Sequence, residues 1–167
     1  MNKIEIKDLN DNLIESIGKE WMLITSGTSD KFNTMTASWG GTGFLWNKPV
    51  AFIFVRPERY TYEFIEQNDL LTLSFLGEKH KAIHKVCGSK SGRDTDKIKE
   101  TGLKPFVMDS GAIGFEQSRL TLECRKLYFE DLKADHFLDT SIPALWYGVK
   151  GGWHRMYVIE ILSIWKK

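Results

Sequence analysis

Thr34, Thr36 and Ser38 recur at every second position of the stretch Asn33-Thr34-Met35-Thr36-Ala37-Ser38-Trp39-Gly40-Gly41, and that spacing reads as an extended strand with two unlike faces. In such a strand the three hydroxyls point one way, while Met35, Ala37 and Trp39 point the other. One face can hydrogen-bond and the other can pack. Taken alone, the stretch is a half-buried strand in which threonine is favoured for its β propensity. Five further runs carry strand-like content: Trp21 to Ser26, Val50 to Val55, Leu70 to Leu76, Leu120 to Tyr128 and Met156 to Trp165. Together they are enough for a barrel. Short helices are expected after Asn10 and over Tyr60 to Asn68, Glu78 to Val86 and Asp94 to Thr101, so the class is mainly β with inserted helices. Strands separated by helices also suit a parallel α/β sheet, but the glycine fingerprint of a dinucleotide fold is absent and Gly40-Gly41-Thr42-Gly43 has the wrong spacing.

Two other segments carry chemistry. The apolar run from Val50 ends at Arg56, and Pro57 suits the first turn of a helix on which Tyr60, Phe64 and Ile65 fall near helical spacing. A cation therefore stands where a strand gives way to a helix N-terminus, an arrangement that suits an anion and equally a surface arginine paired with Glu58 or Glu63. Further on, Cys87-Gly88-Ser89-Lys90-Ser91-Gly92-Arg93-Asp94-Thr95-Asp96-Lys97 is a glycine- and serine-rich loop dense in positive charge. Its N–H groups near Gly92, the Ser89 and Ser91 hydroxyls and the Lys90 and Lys97 ammonium groups can face one phosphate. It is not a P-loop, because the Gly-Lys-Ser/Thr ending is missing.

The 167 residues fit one domain spanning 1–167, with no repeat, linker or low-complexity stretch dividing them. A net charge of +1 gives no basic stripe for nucleic acid. No apolar run is long enough to span a bilayer, and the opening residues lack the apolar core of a signal peptide, so a cytoplasmic protein that does not engage membranes is expected. Cys87 and Cys124 form neither a CxxC pair nor a zinc pattern and read as free thiols. His80 and His84 share a helical spacing, but Lys79, Lys81 and Lys85 around them indicate an exposed basic helix rather than a metal site. The apolar flank of His136 can hold it against a ring system, although ordinary burial or a turn is the first reading. His154 is a possible substrate-side group, although Gly151 and Gly152 before it argue first for a turn.

In order and spacing, NTMTASWGG, FVRPERYTYEFI, LLTLSFL and CGSKSGRDTDK resemble the flavin reductase-like family, most closely its flavoredoxin-type members. The resemblance runs from about Trp21 to the C-terminal strand and implies the FMN-binding split β-barrel, an antiparallel Greek-key-like barrel. It further implies that Asn33, Thr34, Met35, Thr36, Ala37, Ser38 and Trp39 border the flavin ring and ribityl chain. Arg56, Tyr60 and Thr61, with Ser89, Lys90, Ser91, Gly92 and Lys97, fall at its phosphate or ribityl side. His136 and Trp165 match positions that reach the cofactor from later segments or from a second subunit.

An FMN site needs donors for a phosphate of nearly two negative charges, for which Arg56, Ser91 and Lys97 are the candidates, and a flat neighbour for the ring, for which Trp39 or Tyr60 serves. N–H groups from Thr36 to Ser38, or Lys97, suit the polar edge of the ring. The expected activity is an NAD(P)H:FMN oxidoreductase that accepts hydride at flavin N5 and passes electrons on. The alternatives are a flavoredoxin-like carrier supplied by a protein electron donor and the flavin reductase component of a two-component monooxygenase. No catalytic triad or carboxylate pair is expected, since the cofactor does the difficult step. The resemblance implies a homodimer, and six tryptophans and ten phenylalanines supply more large apolar surface than one small barrel must hide.

Overall fold

The computed structural model describes residues 1–148 and 152–167. Its elements are β1 (Asn2–Ile4), α1 (Leu13–Glu15), β2 (Met22–Gly27), β3 (Phe32–Ala37), β4 (Gly40–Leu45), β5 (Lys48–Val55), α2 (Tyr60–Gln67), β6 (Leu70–Phe75), α3 (Lys81–Ser89), α4 (Lys97–Thr101), β7 (Pro105–Val107), β8 (Ile113–Phe115), β9 (Leu120–Asp131), α5 (Ser141–Trp146) and β10 (Arg155–Lys166). The six expected strands are present as β2, β3, β5, β6, β9 and β10. The short strands β1, β7 and β8 were not expected, nor was β4, whose glycines at 40, 41 and 43 hide strand propensity. Among the described residues no helix is long and apolar enough to cross a membrane.

All strand pairs are antiparallel, and the main sheet runs β3-β2-β6-β9-β10-β5-β4, with β1 added alongside β10. The two ends of that path are consecutive in the chain. β3 ends at Ala37 and β4 begins at Gly40, so only Ser38 and Trp39 join them. Three peptide steps reach at most about 11 Å, so the sheet must curl until its outer strands stand side by side. Among the described residues no strand pairing closes the gap, and the barrel is split at Ser38–Trp39. Next to the split, β4 and β5 are joined by a two-residue turn at Trp46 and Asn47, with φ of 51° and 58°. Both positive values match the twist of a tight hairpin.

Alternation along the strands fills the barrel. Met22, Ile24, Met35, Ile53, Val55, Leu71, Leu73, Leu122, Tyr157 and Ile159 meet inside it. The opposite face of β2 is covered too: Leu23 packs with Leu76, Cys87, Leu103 and Phe115 beneath α3 and the β7–β8 hairpin. Double coverage explains why β2 and β6 read as continuous apolar or small-residue runs. Lys97 opens α4 three residues later than the helix expected from Asp94, because the Asp96 carboxylate accepts from the Lys99 N–H at 3.0 Å and caps the helix there.

Candidate functional site

The split opens into a cleft of about 850 Å³. Met35, Thr36, Ala37, Ser38 and Trp39 form its floor, Phe54, Arg56, Glu58 and Arg59 rise from the end of β5, and Leu145, Trp146, Tyr147, Gly148 and His154 close the far side. Two indoles meet at its mouth, Trp39 and Trp146 standing edge to face with centroids 4.9 Å apart. The Ser38 and Trp39 N–H groups, beyond the last pair of β3 and before the first of β4, donate to no other described residue. A barrel edge thus leaves two adjacent donors beside the split.

A smaller recess of about 110 Å³ shares Met35, Glu58 and Arg59 with the cleft, so the two are contiguous along one wall. Its other lining residues are Tyr60, Thr61, Ser89, Lys90, Ser91 and Lys97. Asn33 ties this region together: its Nδ2 donates to Thr61 Oγ1 at 2.7 Å, and its Oδ1 lies against Gly92 so closely that a Cβ there would come within 2.1 Å of it. Tyr60 sits edge-on to Phe64 and under the Arg93 guanidinium, 4.7 Å from its centroid. Thr34 and Asn33, with Gly92 and Lys97, also line a neighbouring hollow of about 410 Å³.

Cations here are engaged by the C-terminal end of α3, where helix carbonyls lack intrahelical partners and the dipole is negative. Lys97 Nζ donates to Cys87 O at 3.2 Å and to Thr34 O on the edge strand at 2.9 Å. Arg59 donates to Gly88 O at 2.6 Å. Lys97 is buried, and burial lowers its pKa. An ammonium has three protons, so one remains for a ligand. Lys90 pairs with Glu100 at 2.5 Å, Ser89 bonds back to Lys85 O, and Ser91 Oγ accepts from the Arg93 N–H.

The structure thus brings Met35 to Trp39, Arg56, Tyr60, Thr61, Ser89 to Ser91 and Lys97 around the cleft and its recess, while Asn33, Thr34 and Gly92 line the neighbouring hollow, which shares Lys97 with the recess. Two of the expected residues, Trp165 and His136, stand apart from the cleft and recess within this chain. Trp165 lies far along β10, ten residues or about 33 Å of strand from Arg155, and its indole donates to Ser163 Oγ at 2.9 Å. His136 is exposed in a single turn, and it is the next residue, Phe137, that packs on Tyr147 and Trp153. Neither lines the cleft or the recess. The expectation of an exposed basic helix is corrected at His84, which is 1% exposed against Trp21, while Lys79 and Lys85 are exposed as expected. The cysteines are unpaired and buried, with burial raising the Cys87 thiol to about 11.

Sequence reasoning passed over Arg59, although it stands in the same segment as Arg56. Arg56 lines the cleft, lies over the Tyr147 ring at 5.3 Å and donates to Trp146 O at 2.8 Å, whereas Arg59 reaches the recess. The reading of His154 as part of a turn missed its burial and its 2.8 Å contact from Nδ1 to the Tyr147 hydroxyl. Burial, with the Arg56 charge adding to it, lowers its pKa to about 4, so His154 is neutral at neutral pH. No periodic signal in Ser141 to Trp146 announced that this segment would wall the cleft.

A family model described as flavin reductase like domain matches residues 14–167. The chain belongs to the flavin reductase-like family. No curated protein matches it. Solved structures share the split-barrel fold of the family. Flavoredoxin from Methanosarcina acetivorans has a TM-score of 0.67 at 21% identity, covering 100% of this chain and 76% of that one. An FMN-binding protein from Thermus thermophilus with bound p-hydroxybenzaldehyde has a TM-score of 0.68 at 18% identity, covering 100% and 82%. A Shewanella frigidimarina protein with a split barrel domain has a TM-score of 0.67 at 20% identity, covering 98% and 75%. At these identities the likeness is one of fold, and the flavin reductase-like assignment rests on the family model.

Proposed function

We propose that this protein binds FMN in the cleft and works as an oxidoreductase, drawing reducing equivalents from a reduced nicotinamide and passing them to an acceptor. The observation that carries this reading is the continuity of an aromatic-walled cleft of about 850 Å³ with a recess of cations and hydroxyls through shared Met35, Glu58 and Arg59. A planar ring with an anionic tail needs that combination, and the cleft volume lies within the usual range for small-molecule sites.

The donor set fits the group. Lys97, Arg59 and Ser91 would hold the phosphate, with the N–H groups at the start of α2 adding to the field. Asn33 and Thr61 would meet the ribityl chain, and Trp39 and Phe54 would flank the ring, with the free Ser38 and Trp39 N–H groups turned to its polar edge. FMN supplies hydride acceptance at its ring, and the protein supplies position, exclusion of water and field. Glu58 is the acid on the described cleft wall and His154 the neutral imidazole. We further propose a homodimer, because Trp39, Leu145 and Trp146 leave apolar surface exposed at the mouth of the site.

The test is to purify the protein, titrate it with FMN and follow the flavin band under argon as NADH or NADPH is added. Bleaching without a partner protein supports the reductase. A yellow protein that neither nucleotide bleaches supports a carrier supplied by another protein, and a colourless protein that takes up no FMN refutes the cleft assignment. Light scattering after size exclusion gives the oligomeric state.

A further inference from the structure

α3 is pressed onto β3 where Gly88, lacking a side chain, lets Thr36 approach: a Cβ at Gly88 would stand 3.4 Å from the Thr36 Cβ. Thr36 Oγ1 meets two atoms of one residue there. It donates to His84 O at 2.8 Å and lies 3.3 Å from His84 Nδ1. A hydroxyl has one proton, and the shorter contact takes it. The Nδ1 contact is then a hydrogen bond only if Nδ1 carries a proton and Thr36 Oγ1 accepts it. The other ring nitrogen, Nε2, is buried without a partner among the described residues, and the ring stands edge-on to Trp21 at 6.1 Å, with the Lys81 ammonium 3.5 Å from the indole. Burial lowers the His84 pKa to about 4, so the ring is neutral. A leucine would fill this space without stranding a ring nitrogen.

We propose that His84 is a positioning residue for the cofactor cleft: with the Thr36 proton already given to the His84 carbonyl, the Nδ1–H tautomer donates to Thr36 Oγ1 and fixes the rotamer in which Thr36 offers the bound ring its methyl group and main chain. The role rests on the cleft reading above, because Thr36 is the part of the cleft floor that His84 controls. Lys97 reinforces the same seam from the neighbouring residues, Thr34 and Cys87.

Two readouts test it. Long-range ¹⁵N–¹H NMR of the purified protein reads the tautomer without any ligand: a proton on Nδ1 is expected, and a proton on Nε2 overturns the proposal. A double-mutant cycle in the FMN-titrated protein reads the coupling. His84→Leu is expected to weaken FMN binding about threefold or more and to move the flavin absorption band, and to add nothing further in a Thr36→Val background. His84→Asn, whose amide N–H can take the place of Nδ1–H, should restore both. Equal effects of His84→Leu in both backgrounds, or rescue by His84→Gln in place of Asn, overturn the proposal. A wild-type protein that binds no FMN overturns the cleft reading, while the tautomer measurement still decides the hydrogen bond.

Discussion

Replacing Lys97 by Met separates the two tasks that the structure gives this side chain. Lys97 is 6% exposed and spends two of its three ammonium protons on Thr34 O and Cys87 O, at 2.9 and 3.2 Å. Methionine keeps much of the length and flexibility. It leaves two buried carbonyls without that donor, at about 1–3 kcal/mol each, while removing the cost of holding a charge in the interior offsets part of the loss. The expected net destabilisation is about 1–3 kcal/mol by urea unfolding. Lys97 lines the recess, where the third proton is the one left for a ligand. If it meets the phosphate, its loss costs about 1.5–3 kcal/mol of FMN binding, a fall of roughly 10- to 150-fold in affinity. Riboflavin, which has the same ring and no phosphate, should change little. Fluorescence titration of the folded variant with each ligand reads the difference. Equal losses for FMN and riboflavin would mean that Lys97 only braces β3 against α3, and the phosphate assignment would fall. Arg56→Ala is the contrast: Arg56 lines the cleft and holds the Trp146 carbonyl at 2.8 Å, so both ligands should weaken together.

Stability should fall as pH is lowered. His84 and His154 have pKa values near 4 in the fold against 6.5 as the ordinary value, so both are neutral in each state above pH 6.5, and below it the unfolded chain takes up protons first. The loss begins near pH 6.5, reaches about 2 kcal/mol per histidine by about pH 5 and levels off below 4; urea midpoints that stay flat from pH 7 to about 5 would contradict the burial of both rings. Gly92→Ala should destabilise by about 1–3 kcal/mol and weaken FMN, because its Cβ would stand 2.1 Å from Asn33 Oδ1 and force the 2.7 Å bond to Thr61 apart; an unchanged melting temperature would show that Asn33 is free to move. Trp39→Ala should shift the bound flavin's absorption if the indole touches the ring, and an unshifted band would confine Trp39 to its contacts with Trp146 and His154.

Local patterns made much of this protein readable from its sequence. β2, β5, β6 and β10 announce themselves because burial on one or both faces demands apolar or small β-forming residues, and the three motif segments line the cleft, its recess and the neighbouring hollow. Helical spacing also separates His84 from Lys85 beside it: residues adjacent in sequence point about 100° apart on a helix, so a lysine next to His84 does not make it exposed. Other features depend on contacts between distant segments. Curling of the sheet brings β3 beside β4 and places Ser38 and Trp39 at a cleft, while Arg59 rather than Arg56 lines the recess and residues 145–148 line the far side of the cleft. Hydrophobic period is a property of neighbouring residues, whereas barrel closure is a property of the whole sheet. Residue patterns specify six of the strands and the chemistry they carry, whereas which donors face one another across the split follows from how the whole sheet closes.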